Sequence, residues 1–200
     1  MHLNFKHARI NNKKEEKGLS LIESAMVLAL AATVTAGVMF YYQSAADSNK
    51  TQSAISEVMS ATSAINGLYI GQSDYSGLGA SVLINSSAIP DNYKNKSSNT
   101  IYNPFGGNLT VDAGDTARGY GYSLKLDKLP KSACISLATL NLGTSAAGYG
   151  INNGNNQTSI TIGSSLGENK AKSTAITPSE AAGAGGCTKE SDNSVTYYMK

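Results

Sequence analysis

The residues with the most distinctive chemistry lie together near the N-terminus, where a charged segment meets an apolar one. Lys17 and Gly18 end the charged segment, and Glu23 lies just inside an uncharged run that continues through Tyr42. Charges at the centre of a membrane helix cost about 2.5–3.5 kcal/mol on insertion scales and are usually paired and functional. A cut after Gly18 would give Leu19 a free α-amino group within one helical turn of Glu23. That group, on the same chain or on a neighbouring copy, is a candidate partner for the carboxylate. The alternative is that Glu23 stays hydrated at an interface and has no specific partner.

The element that must position Glu23 is the uncharged run itself. Residues 25–42 carry no charge and would span about 27 Å as a helix, close to the roughly 30 Å of a bilayer core. The run is rich in Ala, Val, Leu and Met, and this composition indicates a helix that is apolar on all sides. Such a helix is buried in lipid or in protein.

The helical pattern continues beyond this run and becomes amphipathic. We predict one helix from about residue 19 to residue 69, with Gly71 as a plausible stop. The residues predicted to share its buried face are Ile55, Val58, Met59, Thr62, Ile65 and Tyr69. The residues predicted on its other faces are Asp47, Asn49, Lys50, Gln52 and Glu57.

Charge and residue usage exclude several classes of function. Five of the 16 basic residues and two of the 14 acidic residues lie in residues 1–18, so the remainder has one more acid than base. This balance argues against a nucleic acid partner, because phosphate binding needs clustered Lys and Arg. His2 and His7 are the only histidines, and both lie in residues 1–18. Histidine-based acid–base catalysis and imidazole metal sites are therefore excluded from residues 19–200, and we expect no enzyme activity, catalytic residue, metal site or cofactor.

Two cysteines, Cys134 and Cys187, are the only ones in the chain. An even count on the exported side of a membrane anchor predicts one disulfide, and two unpaired thiols are the alternative. Closing a loop of this length is worth about 4 kcal/mol in the chain-entropy model.

The sequence after residue 70 predicts a small α+β head domain. Residues 71–108 are rich in Gly, Ser and Asn and contain a short apolar piece at 82–84. Short helices are predicted after Pro130, over residues 131–142, and at the capping-box pattern of residues 177–180. The segments predicted as strands are 109–111, 120–126, 149–151, 158–162 and 195–198.

The sequence around the junction resembles a known processing site. Residues 18–23, GLSLIE, are similar to the site of type IV prepilins, and Leu at position 19 with a long leader resembles the type IVb branch of the pilin family. The resemblance covers nearly the whole chain. The further segments that carry it are residues 24–28, 88–93, 103–107, 134–143 and 197–200.

The resemblance implies how the chain is processed and how it folds. A membrane prepilin peptidase would cut between Gly18 and Leu19 and N-methylate Leu19, and Glu23 would act in assembly. The implied fold is the type IV pilin fold, a long N-terminal α-helix packed on an antiparallel β-sheet head with the last strand inside the sheet. The implied divisions are a leader (1–18), a transmembrane and filament-core half-helix (19–42), an amphipathic half-helix (43–70) and a head (71–200).

The resemblance also implies partners and a location. We expect the major subunit of a self-bundling, adhesive helical homo-oligomer, built by an assembly machinery in the inner membrane of a Gram-negative bacterium. The finished pilus would be extracellular, and it would contact host cells or other pili.

Two other functions remain open at this point. A minor pilin or secretion-system pseudopilin shares the N-terminal motif. A secreted periplasmic binding protein would need a conventional signal sequence cut near residues 44–46. The helical pattern argues against that cut, because it does not stop at residue 46.

Overall fold

The structure is a computed structural model, and it describes residues 21–114, 116–154 and 160–200. The helices are α1 (Leu21–Leu68), α2 (Ala80–Ile84), α3 (Lys131–Ala138) and α4 (Pro178–Ala182). The strands are β1 (Lys94–Asn95), β2 (Thr100–Tyr102), β3 (Asn108–Ala113), β4 (Tyr122–Leu129), β5 (Ala146–Ile151), β6 (Thr161–Gly163), β7 (Lys170–Lys172) and β8 (Asn193–Met199). The chain forms two compact units, one ending at Ser44 and one spanning Ala45–Lys200.

The predicted long N-terminal helix is confirmed in the described residues. It runs without interruption from Leu21 to Leu68, and Gly71 follows its end with a φ of 83°. That left-handed conformation favours glycine and turns the chain away from the helix direction.

The second unit contains one eight-stranded sheet in the order β1-β2-β3-β4-β8-β5-β7-β6. The C-terminal strand β8 lies between β4 and β5, which confirms the expected position of the last strand inside the sheet. Every pair is antiparallel except β6 with β7, which is parallel. The antiparallel description therefore holds for most of the sheet and fails at one edge.

The main core lies between α1 and one face of the sheet. Alternation along the two central strands places Leu124 and Leu126 of β4 and Val195 and Tyr197 of β8 in that core, all fully buried. Tyr198 points to the other face and packs in a smaller cluster there. The main core also buries a stripe of α1 composed of Ala54, Val58, Ala61 and Ile65.

The predicted buried face of α1 was wrong at two positions. Met59 is 58% exposed, whereas Glu57, predicted on another face, is only 4% exposed. The physical reason is that the small side chains of Ala54 and Ala61, both fully buried, allow close packing. The buried face of the helix is therefore rotated by about one residue position from the predicted face.

The short elements were predicted less accurately at their ends. The helix after Pro130 ends at Ala138 rather than at residue 142. The strand predicted over residues 158–162 is found at Thr161–Gly163, and residues 158 and 159 lie outside the described part of the chain.

Candidate assembly site

The predicted processing site lies at the edge of the described structure. Gly18 and Leu19 fall outside the described residues, so their roles remain predictions. Glu23 lies in the first described turn of α1 and is exposed. A negative charge in the first turn of a helix interacts favourably with the helix dipole.

The α1 residues from Leu21 to Ser44 present an apolar surface all round the helix. Large apolar side chains, among them Leu30 at 68% and Phe40 at 77%, are exposed. By length and composition, α1 is the one helix in the described residues that is able to cross a membrane. An apolar surface on every side of a helix is stable only against lipid or against other apolar protein surface.

Three hydroxyl groups of this surface, those of Ser24, Thr33 and Thr35, are satisfied within the helix itself. Thr33 Oγ1 donates to the Ala29 carbonyl oxygen at 2.8 Å, and Thr35 Oγ1 donates to the Ala31 carbonyl oxygen at 2.7 Å. Ser24 Oγ donates to the Leu21 carbonyl oxygen at 3.0 Å. Such bonds remove the cost of placing a hydroxyl in an apolar environment. The segment can therefore pass from lipid to protein surroundings without leaving these hydroxyls unpaired.

The disulfide predicted from the cysteine count is present between Cys134 and Cys187. It joins α3 to the segment that follows α4 across a sequence separation of 53 residues, and both cysteines are fully buried. The Tyr197 hydroxyl of β8 donates to the Leu137 carbonyl oxygen at 2.7 Å. The disulfide therefore fastens α3 to the segment after α4, and the hydrogen bond fastens α3 to β8 inside the sheet.

The capping-box pattern of residues 177–180 forms the start of α4 as predicted. The Thr177 hydroxyl accepts from the Glu180 amide, and Glu180 Oε2 accepts from the Thr177 amide at 2.9 Å. Lys172 Nζ of β7 lies 2.7 Å from Glu180 Oε1. Hydrogen bonding from Lys172 first, and from Thr177 second, lowers the pKa of the exposed Glu180 carboxyl to about 2.

One ionisable group of the head was missed by the sequence patterns. Glu57 is buried in α1, and burial raises the pKa of its carboxyl to about 8. The available signal was its position one helical turn from both Ala54 and Ala61, which places it beside the small residues that the sheet covers.

Comparison with known proteins identifies the family of the chain. A family model described as Bundlin matches residues 43–199. Two proteins, from Escherichia coli O111:H- and from Escherichia coli O127:H6 (strain E2348/69 / EPEC), are each described as "Major structural subunit of bundle-forming pilus". Each is 65% identical over 193 residues, which is 96% of this chain and 99% of the relative.

Among solved structures, the type IV b pilin from Salmonella typhi is similar in fold. Its TM-score is 0.51 at 22% sequence identity, over 74% of this chain and 97% of that chain. The fold is thus that of a type IV pilin. From the family match and the identity over nearly its full length, the chain belongs to the bundlin family.

Proposed function

We propose that this protein is the major structural subunit of a type IVb, bundle-forming pilus, with a structural rather than a catalytic role. The observation that carries the proposal is the 65% identity to major pilus subunits over nearly the whole chain. That match favours the major subunit over a minor pilin or pseudopilin. The apolar surface from Leu21 to Ser44 supplies the physical basis for association into a filament.

The chain's path starts in the inner membrane. Residues 1–18 are basic, and the positive-inside rule keeps them in the cytoplasm while the head is exported. The disulfide between Cys134 and Cys187 forms in that oxidising compartment. Prepilin peptidase cuts the bond between Gly18 and Leu19 and N-methylates the new N-terminus.

Assembly then exchanges lipid contacts for protein contacts. The assembly machinery of the inner membrane moves the apolar helix segment from the bilayer into the filament core. Glu23 pairs there with the Leu19 ammonium group of a neighbouring subunit. At about 4 Å and an effective dielectric constant near 20, such a pair gains about 4 kcal/mol before desolvation. Desolvation offsets much of that gain, so the pair sets the register between subunits more than the bulk stability. The finished pilus bundles with other pili and adheres to host cells.

The cut and the filament role are tested together by one measurement. Protein sheared from the cell surface is analysed for intact mass and N-terminal sequence. We expect an abundant filament fraction whose chains begin at N-methyl-Leu19. Chains that begin near Asp47, or the absence of sheared material, would contradict the proposal.

The role of Glu23 is tested separately by substitution. Glu23→Ala should be exported and form its disulfide normally but yield no filaments, since the register-setting pair is lost. Glu168→Gln, which changes an exposed carboxylate of the head, is the matched control and should yield filaments at the normal level. Normal piliation of the Glu23→Ala strain, seen by electron microscopy, would refute the pairing.

A further inference from the structure

Among the described residues, Glu57 is the one Asp, Glu, Lys or Arg side chain that is buried. The residue is 4% exposed, and neither carboxyl oxygen has a hydrogen-bond partner in the described part of the chain. Buried Asn103 and Asn193, in contrast, bond backbone groups with both ends of their amides. An ionised carboxylate in this position would be buried without a partner, which is far costlier than the burial of a neutral acid.

The other titratable groups buried in the main core of the described residues are phenols. The sheet face in the main core presents Tyr122, Tyr149 and Tyr197 as its titratable groups. Each hydroxyl is engaged elsewhere, since Tyr122 and Tyr149 contact the side-chain oxygens of Asn66 and Asn141, and Tyr197 binds a backbone carbonyl. On β3 and β4, Asp112, Lys125 and Asp127 alternate with core residues and lie on the opposite face, and Lys128 is exposed.

Charged groups on the other elements around the core also have partners near them. On the segment after α2, the ammonium group of Lys94 donates to the Ser86 carbonyl oxygen at 2.7 Å and lies 3.4 Å from Asp91. At the start of α3, Lys131 lies 3.7 Å from Glu190. On α1 itself, Lys50 is exposed two turns before Glu57. Burial is accordingly the physical cause of the raised pKa of Glu57, and no charged group contributes to it.

We infer that Glu57 is a protonation switch of the head. Buried without a hydrogen-bond partner among the described residues, it is held as a neutral carboxylic acid, and its ionisation loosens the packing of α1 against the sheet. The group belongs to the head alone, so this inference does not depend on the filament role.

The sign of the pH effect follows from proton linkage. The folded head holds the Glu57 proton up to about pH 8, whereas the unfolded chain releases it near pH 4.5. Between these values the folded state binds more protons, so stability is full at acidic pH and falls as pH rises through this range. The shift predicts that the unfolding equilibrium constant increases on the order of 10²-fold between pH 6 and pH 9.

The experiment is urea unfolding of the full chain in detergent at a series of pH values from 6 to 9. Tryptophan is absent from the sequence, so the transition is followed by tyrosine signals and near-ultraviolet circular dichroism. We compare the wild type with Glu57→Gln, a neutral variant of almost the same shape, and with Glu168→Gln, which removes an exposed carboxylate. All three proteins keep His2 and His7, so the contribution of these residues cancels in the comparison.

The inference expects the wild type and Glu168→Gln to lose stability together, whereas Glu57→Gln changes less than about threefold over the same range. A Glu57→Gln profile as steep as that of the wild type would overturn it, and so would a flat wild-type profile.

A second measurement, on the wild-type chain alone, tests the inference even if Glu57→Gln does not fold. Infrared spectra of the wild-type chain should show the carbonyl band of a protonated carboxylic acid at pH 7, and that band should vanish as pH rises past about 8. Glu57 is the one Asp or Glu side chain that is buried among the described residues. Absence of the band at pH 7 in the folded protein would overturn the inference.

Discussion

The two halves of α1 form one continuous helix, yet they meet opposite environments. From Leu21 to Ser44, the large apolar side chains are exposed, and the hydroxyls of Thr33 and Thr35 bond to their own helix. From Ala45 to Leu68, a stripe of small and branched residues is buried, and the described structure supplies its packing. The first half carries surface that only lipid or another subunit can cover, whereas the second half is stabilised by its own head.

Two of the three acidic residues of α1, Glu23 and Glu57, show the same contrast in their electrostatic surroundings. Glu23 is exposed in the first described turn of the helix. Glu57 is buried in the head, where burial raises its pKa. In the roles that we propose for them, the first carboxylate acts between chains and the second acts within one chain.

Removing the disulfide should give the largest difference in stability between the two halves of α1. The variant with both Cys134→Ala and Cys187→Ala should lose about 4 kcal/mol of the free energy of unfolding of the head, since the bond closes a loop of 53 residues. Hydrogen exchange in detergent should then show faster amide exchange in residues 45–68 and unchanged exchange in residues 21–44. Ser132→Ala, an exposed change on the same helix α3, is the control. Equal loss of protection in both halves would show that they form one cooperative unit.

The large-scale features of the fold were predictable because their signals are local and strong. The uncharged run at residues 25–42 indicated a helix by length and composition, and the pattern of residues 177–180 gave the start of α4 with its capping box. The disulfide followed from two cysteines in an exported domain.

Features set by tertiary packing were not predictable from residue patterns. The strands β1, β2 and β7 have two or three residues each, and their pairing partners determine them more than their own composition. The burial of Glu57 depends on the close approach that Ala54 and Ala61 allow. An alanine has the same appearance in a sequence whether it is packed or exposed, so the spacing of Glu57 from Ala54 and Ala61 was only a weak signal of its burial.

A pair of matched truncations compares the halves directly. Ile65→Ala should cost about 3 kcal/mol in the free energy of unfolding of the head, because Ile65 is fully buried and its loss leaves a cavity. Leu30→Ala should change that free energy by less than about 0.5 kcal/mol, since Leu30 lies in the unit that ends at Ser44 and is 68% exposed. Urea unfolding of both variants in the same detergent measures the difference. Similar losses in the two variants would mean that the apolar half also stabilises the head.

The smallest expected effect has the opposite sign and uses the two glycines of α1. A Cβ built at Gly37 or at Gly67 meets no atom within 4 Å, so alanine fits at either position without a clash. Gly67→Ala should stabilise the head by about 0.5 kcal/mol, because alanine loses less backbone entropy than glycine when the helix forms. Gly37→Ala improves the helix in the same way, but its unit ends before the head begins. It should therefore leave the urea midpoint of the head unchanged. A rise in that midpoint with Gly37→Ala as large as with Gly67→Ala would show that helix formation in the first half is coupled to folding of the head, and the separation of the two halves would then be wrong.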